Sequence, residues 1–72
     1  MEAHYANFFK VGCNSVEFVL EFGQAYDDVL EPISHTRIIT SPKYVRILLK
    51  VLSESVAKYE SAFGQIERPG LH

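Results

Sequence analysis

Residues 41–64 contain both a helix start and a helix stop, and they constrain the fold more than any other part of the chain. Ser41 is a favourable N-cap, because its hydroxyl can accept from backbone N–H groups that lack an intrahelical partner. Pro42 then occupies the first helical position, where its missing N–H costs nothing. Gly64 can adopt the positive φ that ends a helix. The sequence therefore predicts one long helix between these caps.

Apolar residues recur at every third or fourth position of this segment, as on one face of an amphipathic helix. This stripe consists of Val45, Leu49, Leu52, Val56, Tyr59 and Phe63. A second apolar row adjoins it and consists of Tyr44, Ile47, Leu48 and Val51. The N-terminal half of the helix is therefore apolar over most of its circumference.

Two segments before the helix predict an antiparallel β-hairpin. Residues 4–11 are rich in aromatic and β-branched side chains, and residues 16–22 alternate between apolar and other side chains. The intervening residues 12–15 are Gly, Cys, Asn and Ser, a composition typical of turns. The strand face predicted to be buried carries Val16, Phe18, Leu20 and Phe22.

A third strand is predicted at residues 33–40, a β-branched run that leads directly into the Ser41 cap. The acidic connection before it ends at Pro32 and suits a solvated loop, with a short extra strand around residues 26–30 as an alternative. After Gly64 we expect a frayed tail in which Ile66 docks back on the helix end.

These elements predict an α+β fold: a small antiparallel sheet, made of a β-hairpin and a third strand, with one long C-terminal helix packed across it as a second layer. The chain is a single domain over residues 1–72, ordered at about residues 4–66. The predicted core joins Phe18, Leu20 and Phe22 of the sheet to Val45, Leu49, Leu52 and Val56 of the helix.

A chain of 72 residues is close to the size below which a hydrophobic core rarely supports a fold alone. Disulfides, a metal or a partner subunit often supply the remaining stability. The single cysteine, Cys13, excludes an internal disulfide, and no Cys/His cluster has the spacing of a zinc site. With 47% hydrophobic residues, the chain is more apolar than one small core requires, which favours self-association.

Several apolar residues remain uncovered in a fold of three strands and one helix, and such surfaces usually mark interaction sites. On the sheet face assigned to solvent they include Phe8 and Val19. The complete predicted interface is Phe8, Val19, Tyr44, Ile47, Leu48 and Val51. The leading hypothesis is therefore a non-enzymatic protein–protein interaction module, either a homodimer or a subunit of a larger assembly.

Basic residues on the helix and the strands suggest a different function, the binding of single-stranded nucleic acid beside exposed aromatic rings. The candidate contacts are Lys10, Arg37, Lys43, Arg46 and Lys50. The net charge of −2 argues against general polyanion binding, and a solvated helix face of mixed charge explains the same residues. We expect no membrane partner and a cytoplasmic location, because the sequence shows neither a signal peptide nor a membrane-spanning segment.

Candidate catalytic chemistry is sparse. His4, His35 and Cys13 are the residues that could form a soft metal site, but no spacing forces them together. Glu17 and Glu21 share a strand face, where cross-strand pairing with Lys10 or Arg37 is the simpler role. The sequence contains no phosphate-binding glycine loop and no nucleophile motif, so we predict no enzyme activity, no cofactor and no metal.

Four ordered motifs resemble a domain-of-unknown-function family of short prokaryotic proteins. They are Tyr5-Ala6-Asn7, EFVLEFG at residues 17–23, TRIITSP at residues 36–42 and KYE-x-x-FG-x-I at residues 58–66. The resemblance covers residues 5–66 and implies a compact domain of strands followed by a helix. It implies no established activity, and no catalytic or binding residues are carried over.

Overall fold

The structure, a computed structural model, describes residues 1–28 and 30–67. In chain order the elements are β1 (Phe8–Cys13), β2 (Phe18–Gln24), β3 (Ile33–Thr40) and α1 (Pro42–Phe63). The three strands form one antiparallel sheet in the order β1-β2-β3. The predicted α+β class, a hairpin and a third strand followed by one long helix, is confirmed.

The hairpin turn lies two residues later than the sequence predicts. Gly12 and Cys13 belong to β1, and the turn begins at Asn14, whose side-chain Oδ1 accepts from the backbone N–H of Val16 at 2.8 Å and of Glu17 at 3.0 Å. The backbone N–H of Asn14 also donates to the carbonyl of Glu17 at 3.0 Å. Because the asparagine side chain organises a turn at residues 14–17, both strands are displaced towards the C-terminus of the chain.

The strand register divides the sheet into two faces of different chemistry. The face called here the apolar face carries Phe9, Val11, Cys13, Phe18, Leu20, Phe22, Thr36, Ile38 and Thr40. The opposite face, the outer face, carries Phe8, Lys10, Val19, Glu21, Arg37 and Ile39. The expectation that Phe8 and Val19 share the face away from the core is consistent with this register.

A β-bulge lies near the open end of the hairpin. Phe22 pairs with Thr36 while Gly23 pairs with Ser34, so His35 is the additional residue of β3. At the same end the Asn7 side chain accepts from the N–H of Ala25 at 2.7 Å and donates to its carbonyl at 3.2 Å. These bonds extend the pairing of the hairpin beyond β1.

The helix begins and ends at the predicted residues. Ser41 is extended, and its hydroxyl accepts from the backbone N–H of Tyr44 at 3.4 Å. Gly64 has a φ of 98° and donates its N–H to the carbonyl of Glu60 at 3.0 Å. The backbone N–H of Ile66 donates to the carboxylate of Glu60 at 2.9 Å, so the chain turns back on the helix end. The rest of the expected frayed tail, residues 68–72, lies outside the described residues.

The helix borders the apolar face without closing on it. Leu20 is the one apolar side chain of the described residues that is buried, at 9% exposure, and Val45 is half-buried at the start of the helix. The predicted burial of Leu49, Leu52 and Val56 is wrong for the single chain, because all three are exposed. The sequence identified the apolar stripe but not the distance between helix and sheet.

The acidic connection between β2 and β3 contains a turn at Asp27 and Asp28. The alternative of a short strand at residues 26–30 finds no support among the described residues of this segment, and Val29 lies outside them. The segment therefore serves as a loop that returns the chain to the start of β3.

Candidate interaction surface

The apolar side of α1 is open to solvent beyond Val45, which is half-buried at the start of the helix. None of its 22 residues is buried, although a surface helix normally covers such a stripe against its own core. The exposed fraction is 54% for Leu52 and rises to 76% for Phe63 in the last turn. The rings of Tyr59 and Phe63 contact each other at a centroid distance of 5.1 Å. This side of the helix has the composition of a core but lacks a covering layer.

The apolar face of the sheet is also uncovered. Between it and the helix lies a groove of about 420 Å³, called here the apolar groove. Its apolar lining consists of Phe9, Val11, Leu20 and Phe22 from the sheet and Leu48 and Leu52 from the helix. Phe9 and Val11 remain 62% and 61% exposed, and Phe9 meets the edge of the Phe22 ring at 5.8 Å. The groove is wide enough to accept several further side chains.

The accessible surface of the whole chain exceeds that of a compact monomer. A compact protein of 8.2 kDa exposes about 4,500 Å², whereas this chain exposes 6753 Å². The radius of gyration, 14.6 Å, likewise exceeds the value of about 11 Å typical of a compact chain of this length.

The six residues predicted as an interface lie on two separate surfaces. Tyr44, Ile47, Leu48 and Val51 are exposed on α1, and of these Leu48 lines the apolar groove. Phe8 and Val19 are half-buried on the outer face, which points away from the groove. The structure therefore brings together the four helix residues but not the two sheet residues.

Sequence reasoning missed the sheet side of this surface. Phe9 and Val11 were recognised as strand residues and Phe22 was assigned to a closed core, so none was expected at an interface. Their alternation was visible in the sequence. The sequence pattern does not indicate whether the helix covers these side chains, and in the structure it does not.

The outer face is polar at its centre, where the predicted cross-strand pairing is present. Glu21 lies opposite both Lys10 and Arg37 in the register. Arg37 Nη2 lies 2.9 Å from Glu21 Oε2, and the Ser34 hydroxyl donates to Oε1 at 3.2 Å. The hydrogen bonds from Arg37, and next those from Ser34, lower the pKa of the Glu21 carboxyl, and the Lys10 charge acts in the same direction.

The five basic residues considered for nucleic-acid contact are divided between two elements. Lys10 and Arg37 lie on the outer face of the sheet, where Glu21 accepts hydrogen bonds from Arg37. Lys43, Arg46 and Lys50 follow the side of α1 opposite its apolar stripe. The structure does not assemble them into a single basic groove.

Of the three candidate metal or thiol residues, two lie together and one lies apart. The rings of His4 and His35 are 5.2 Å apart. The Nε2 of His35 lies 2.9 Å from the carbonyl of Tyr5 and must donate to it, while Nδ1 lies 2.7 Å from the Thr36 hydroxyl. Cys13 is exposed at the end of β1. The part of the chain that the structure describes contains no group of three possible metal ligands.

The comparisons with known proteins identify a family. The family described as "Protein of unknown function (DUF3467)" matches residues 1–68, and the chain belongs to it. No curated protein and no solved structure shows a significant match. Within residues 1–28 and 30–67, no helix has the length and apolarity needed to cross a bilayer.

Proposed function

We propose that this member of a family without an assigned activity is a non-enzymatic protein–protein interaction module that acts as a homodimer. The observation that carries the proposal is the pair of uncovered apolar surfaces, the helix stripe and the apolar groove. A contiguous apolar surface of this extent on a small domain is typical of an obligate interface. Twofold homodimers are the commonest assemblies that cover such surfaces.

The size of the exposed surface favours a stable assembly over a transient contact. A standard interface buries about 800 Å² on each partner, and obligate homodimers bury more. Even half of the excess of about 2,200 Å² over a compact monomer exceeds the share of one partner in a standard interface. Leu20 is the one buried apolar side chain within residues 1–28 and 30–67, so the isolated chain has little stabilisation of its own.

The polar groups support a binding role and suggest no reaction. Glu21 is engaged by Arg37 and Ser34, and both ring nitrogens of His35 have hydrogen-bond partners. The apolar groove presents mainly aliphatic and aromatic side chains, which suit packing. Two charged residues, Lys10 and Glu21, also border it, and the Glu21 carboxylate accepts hydrogen bonds from Arg37. The chemistry of the groove is that of a protein–protein contact.

Sedimentation equilibrium of the wild-type chain and of Leu48→Asp tests the proposal. We expect the wild type to have the mass of a dimer at micromolar concentration. The aspartate should shift the equilibrium to the monomer, because it places an unpaired carboxylate in the apolar groove.

Lys50→Asp is the matched control, since it introduces the same side chain on the opposite side of the same helix. It should raise the dimer dissociation constant far less than Leu48→Asp does, because an exposed charge contact contributes only a few tenths of a kcal/mol. Glu54→Ala should have a similarly small effect. A wild-type chain that is monomeric throughout the micromolar range would contradict the proposal.

A further inference from the structure

We propose that the two copies associate by reciprocal docking, in which the C-terminal half of each helix lies in the apolar groove of the other copy. The inference rests on the proposed homodimer and specifies its contact surface. The docking element is called the distal stripe and consists of Val56, Tyr59 and Phe63. Its receptor is the groove bordered by the apolar face and by Leu48 and Leu52.

The distal stripe continues a surface that already faces the sheet. Val45 and Leu49 lie beside Phe18 at the beginning of α1, where they border a second gap of about 270 Å³. The distal stripe lies on the same side of the helix, because its members follow Leu49 at helical spacing. Phe63 lies about 16 Å further along the helix axis than Leu52, and it is 76% exposed. The side of α1 that faces the sheet at its start is therefore exposed at its end among the described residues.

Hydrogen bonds and an aromatic contact hold the C-terminal end of α1 in a defined conformation. Glu60 fixes the chain beyond the helix, since its carbonyl accepts from Gly64 and its carboxylate accepts from Ile66. The Tyr59 and Phe63 rings contact each other and form one aromatic block. Rigid aromatic anchors of this kind lose little conformational entropy on docking and contribute strongly to interfaces.

A second copy fits these surfaces better than an unrelated protein. Each chain carries both a protruding apolar stripe and an apolar groove, so a twofold axis covers both at once and in both copies. Half of the excess surface of about 2,200 Å² per chain already exceeds the roughly 800 Å² that each partner buries in a standard interface. A different partner would have to supply a matching stripe and a matching groove in one surface.

The charge distribution of α1 favours an antiparallel arrangement. Its first turn has no acidic residue and its last turn has no basic residue, the reverse of what the helix dipole prefers. Lys43, Arg46 and Lys50 lie in the first half, whereas the second half carries Glu54 and Glu60 together with Lys58 and is only weakly acidic. Antiparallel helices would place the basic half of one copy beside the weakly acidic half of the other, which offsets part of the unfavourable terminal charge.

Phe63→Asp separates this arrangement from other dimers. Because Phe63 is mostly exposed in the single chain, the substitution should leave the fold intact, as circular dichroism can verify. Its dimer dissociation constant should rise by at least about tenfold, since an interface anchor is lost. Ser61→Asp introduces the same charge on the opposite side of the same turn and should change the constant by less than about threefold.

Isotope-filtered nuclear Overhauser spectra of a mixture of labelled and unlabelled chains provide the direct test. We expect contacts between the Tyr59 or Phe63 ring of one copy and Phe9, Val11 or Phe22 of the other. A wild-type dimer that Phe63→Asp leaves unchanged, or whose inter-copy contacts join only helix to helix, would overturn reciprocal docking and leave the proposed function intact. A wild-type monomer would overturn both.

Discussion

Among single residues, Gly23 occupies the most restricted position in the sheet. It is buried in β2 beside the bulge, and a Cβ placed there would meet the carbonyl oxygen of Ile33 and lie 2.9 Å from Ser34 Cα. Both obstacles are backbone atoms of the neighbouring strand, so they can move only if the pairing of β2 and β3 changes. The close approach of β2 and β3 therefore requires a residue without a Cβ at position 23.

We predict that Gly23→Ala lowers the free energy of unfolding by about 1–3 kcal/mol, because the added methyl group overpacks the sheet. Urea denaturation at one fixed protein concentration measures the change. Gly12→Ala is the matched control in β1, where a Cβ would meet nothing within 4 Å. It should be neutral or stabilise by up to about 1 kcal/mol through the unfolded chain. Equal losses in the two variants would contradict the steric explanation.

The Glu21 carboxylate provides a residue-level prediction for pH. Its pKa is lowered in the folded chain, first by the hydrogen bonds from Arg37. The stabilisation is therefore present above the ordinary glutamate pKa of about 4.3 and is lost as the pH falls below it through the folded-state pKa. Arg37→Gln should raise the Glu21 pKa, and Lys10→Gln should raise it less.

A carbon-detected NMR titration of the Glu21 side chain measures these pKa values. Arg46→Gln removes the same charge from the helix, and the Glu21 pKa should not respond to it. If Arg37→Gln left the Glu21 pKa at its wild-type value, the assigned cause would be wrong.

Residue-level features could be predicted from the sequence only where they depend on regular strand pairing. The opposition of Glu21 to Lys10 and Arg37 follows from alternation along three strands, and it was anticipated. The bulge at His35 was not, since a single unpaired residue leaves the composition of β3 unchanged. The stacking of His35 on His4 depends on that bulge and on the path of the N-terminal segment, and it was equally hidden.

At the scale of elements, both helix caps that the sequence predicts, Ser41 and Gly64, are present in the structure. The Ser41 hydroxyl satisfies one of the backbone N–H groups that the first turn leaves without a partner. At 3.4 Å its bond to Tyr44 is long, which places its contribution in the lower part of the usual range for a cap.

We predict that Ser41→Ala lowers the free energy of unfolding by about 0.5–1 kcal/mol, with urea denaturation as the measurement. Ser53→Ala makes the same chemical change at an exposed position inside the helix. It should be neutral or slightly stabilising, because alanine is the better helix former. A larger loss from Ser53→Ala than from Ser41→Ala would contradict the capping role.

Element boundaries were predictable to different degrees for a physical reason. The bounds of β3 and α1 follow from residues at their own ends, and both were anticipated. The bounds of β1 and β2 depend on which of four consecutive turn-forming residues organises the hairpin. The composition assigns all four residues 12–15 to the turn, but the hydrogen bonds of the Asn14 side chain place it at residues 14–17.

At the scale of the whole molecule, the separation between helix and sheet determines which apolar surfaces remain uncovered in the single chain. Hydrophobic periodicity specifies which side of α1 is apolar, but it does not specify whether that side is covered by the same chain or by another. Leu49 and Leu52 have the same sequence signature in either case, and the structure leaves both exposed. This is why the sequence indicated surplus apolar surface and assigned part of it, the apolar face of the sheet, to a closed core.

An obligate dimer also makes a prediction about stability that needs no mutation. If folding and association are coupled, the urea midpoint should rise with protein concentration, because each tenfold increase favours the folded dimer by about 1.4 kcal/mol per mole of dimer. Denaturation curves recorded at two concentrations that differ by a factor of about ten measure the effect. The Leu48→Asp chain, if it folds as a monomer, should have the same midpoint at both concentrations. A wild-type midpoint independent of concentration would mean that the single copy is stable with its helix stripe and apolar groove uncovered, and the physical reason for association would be lost.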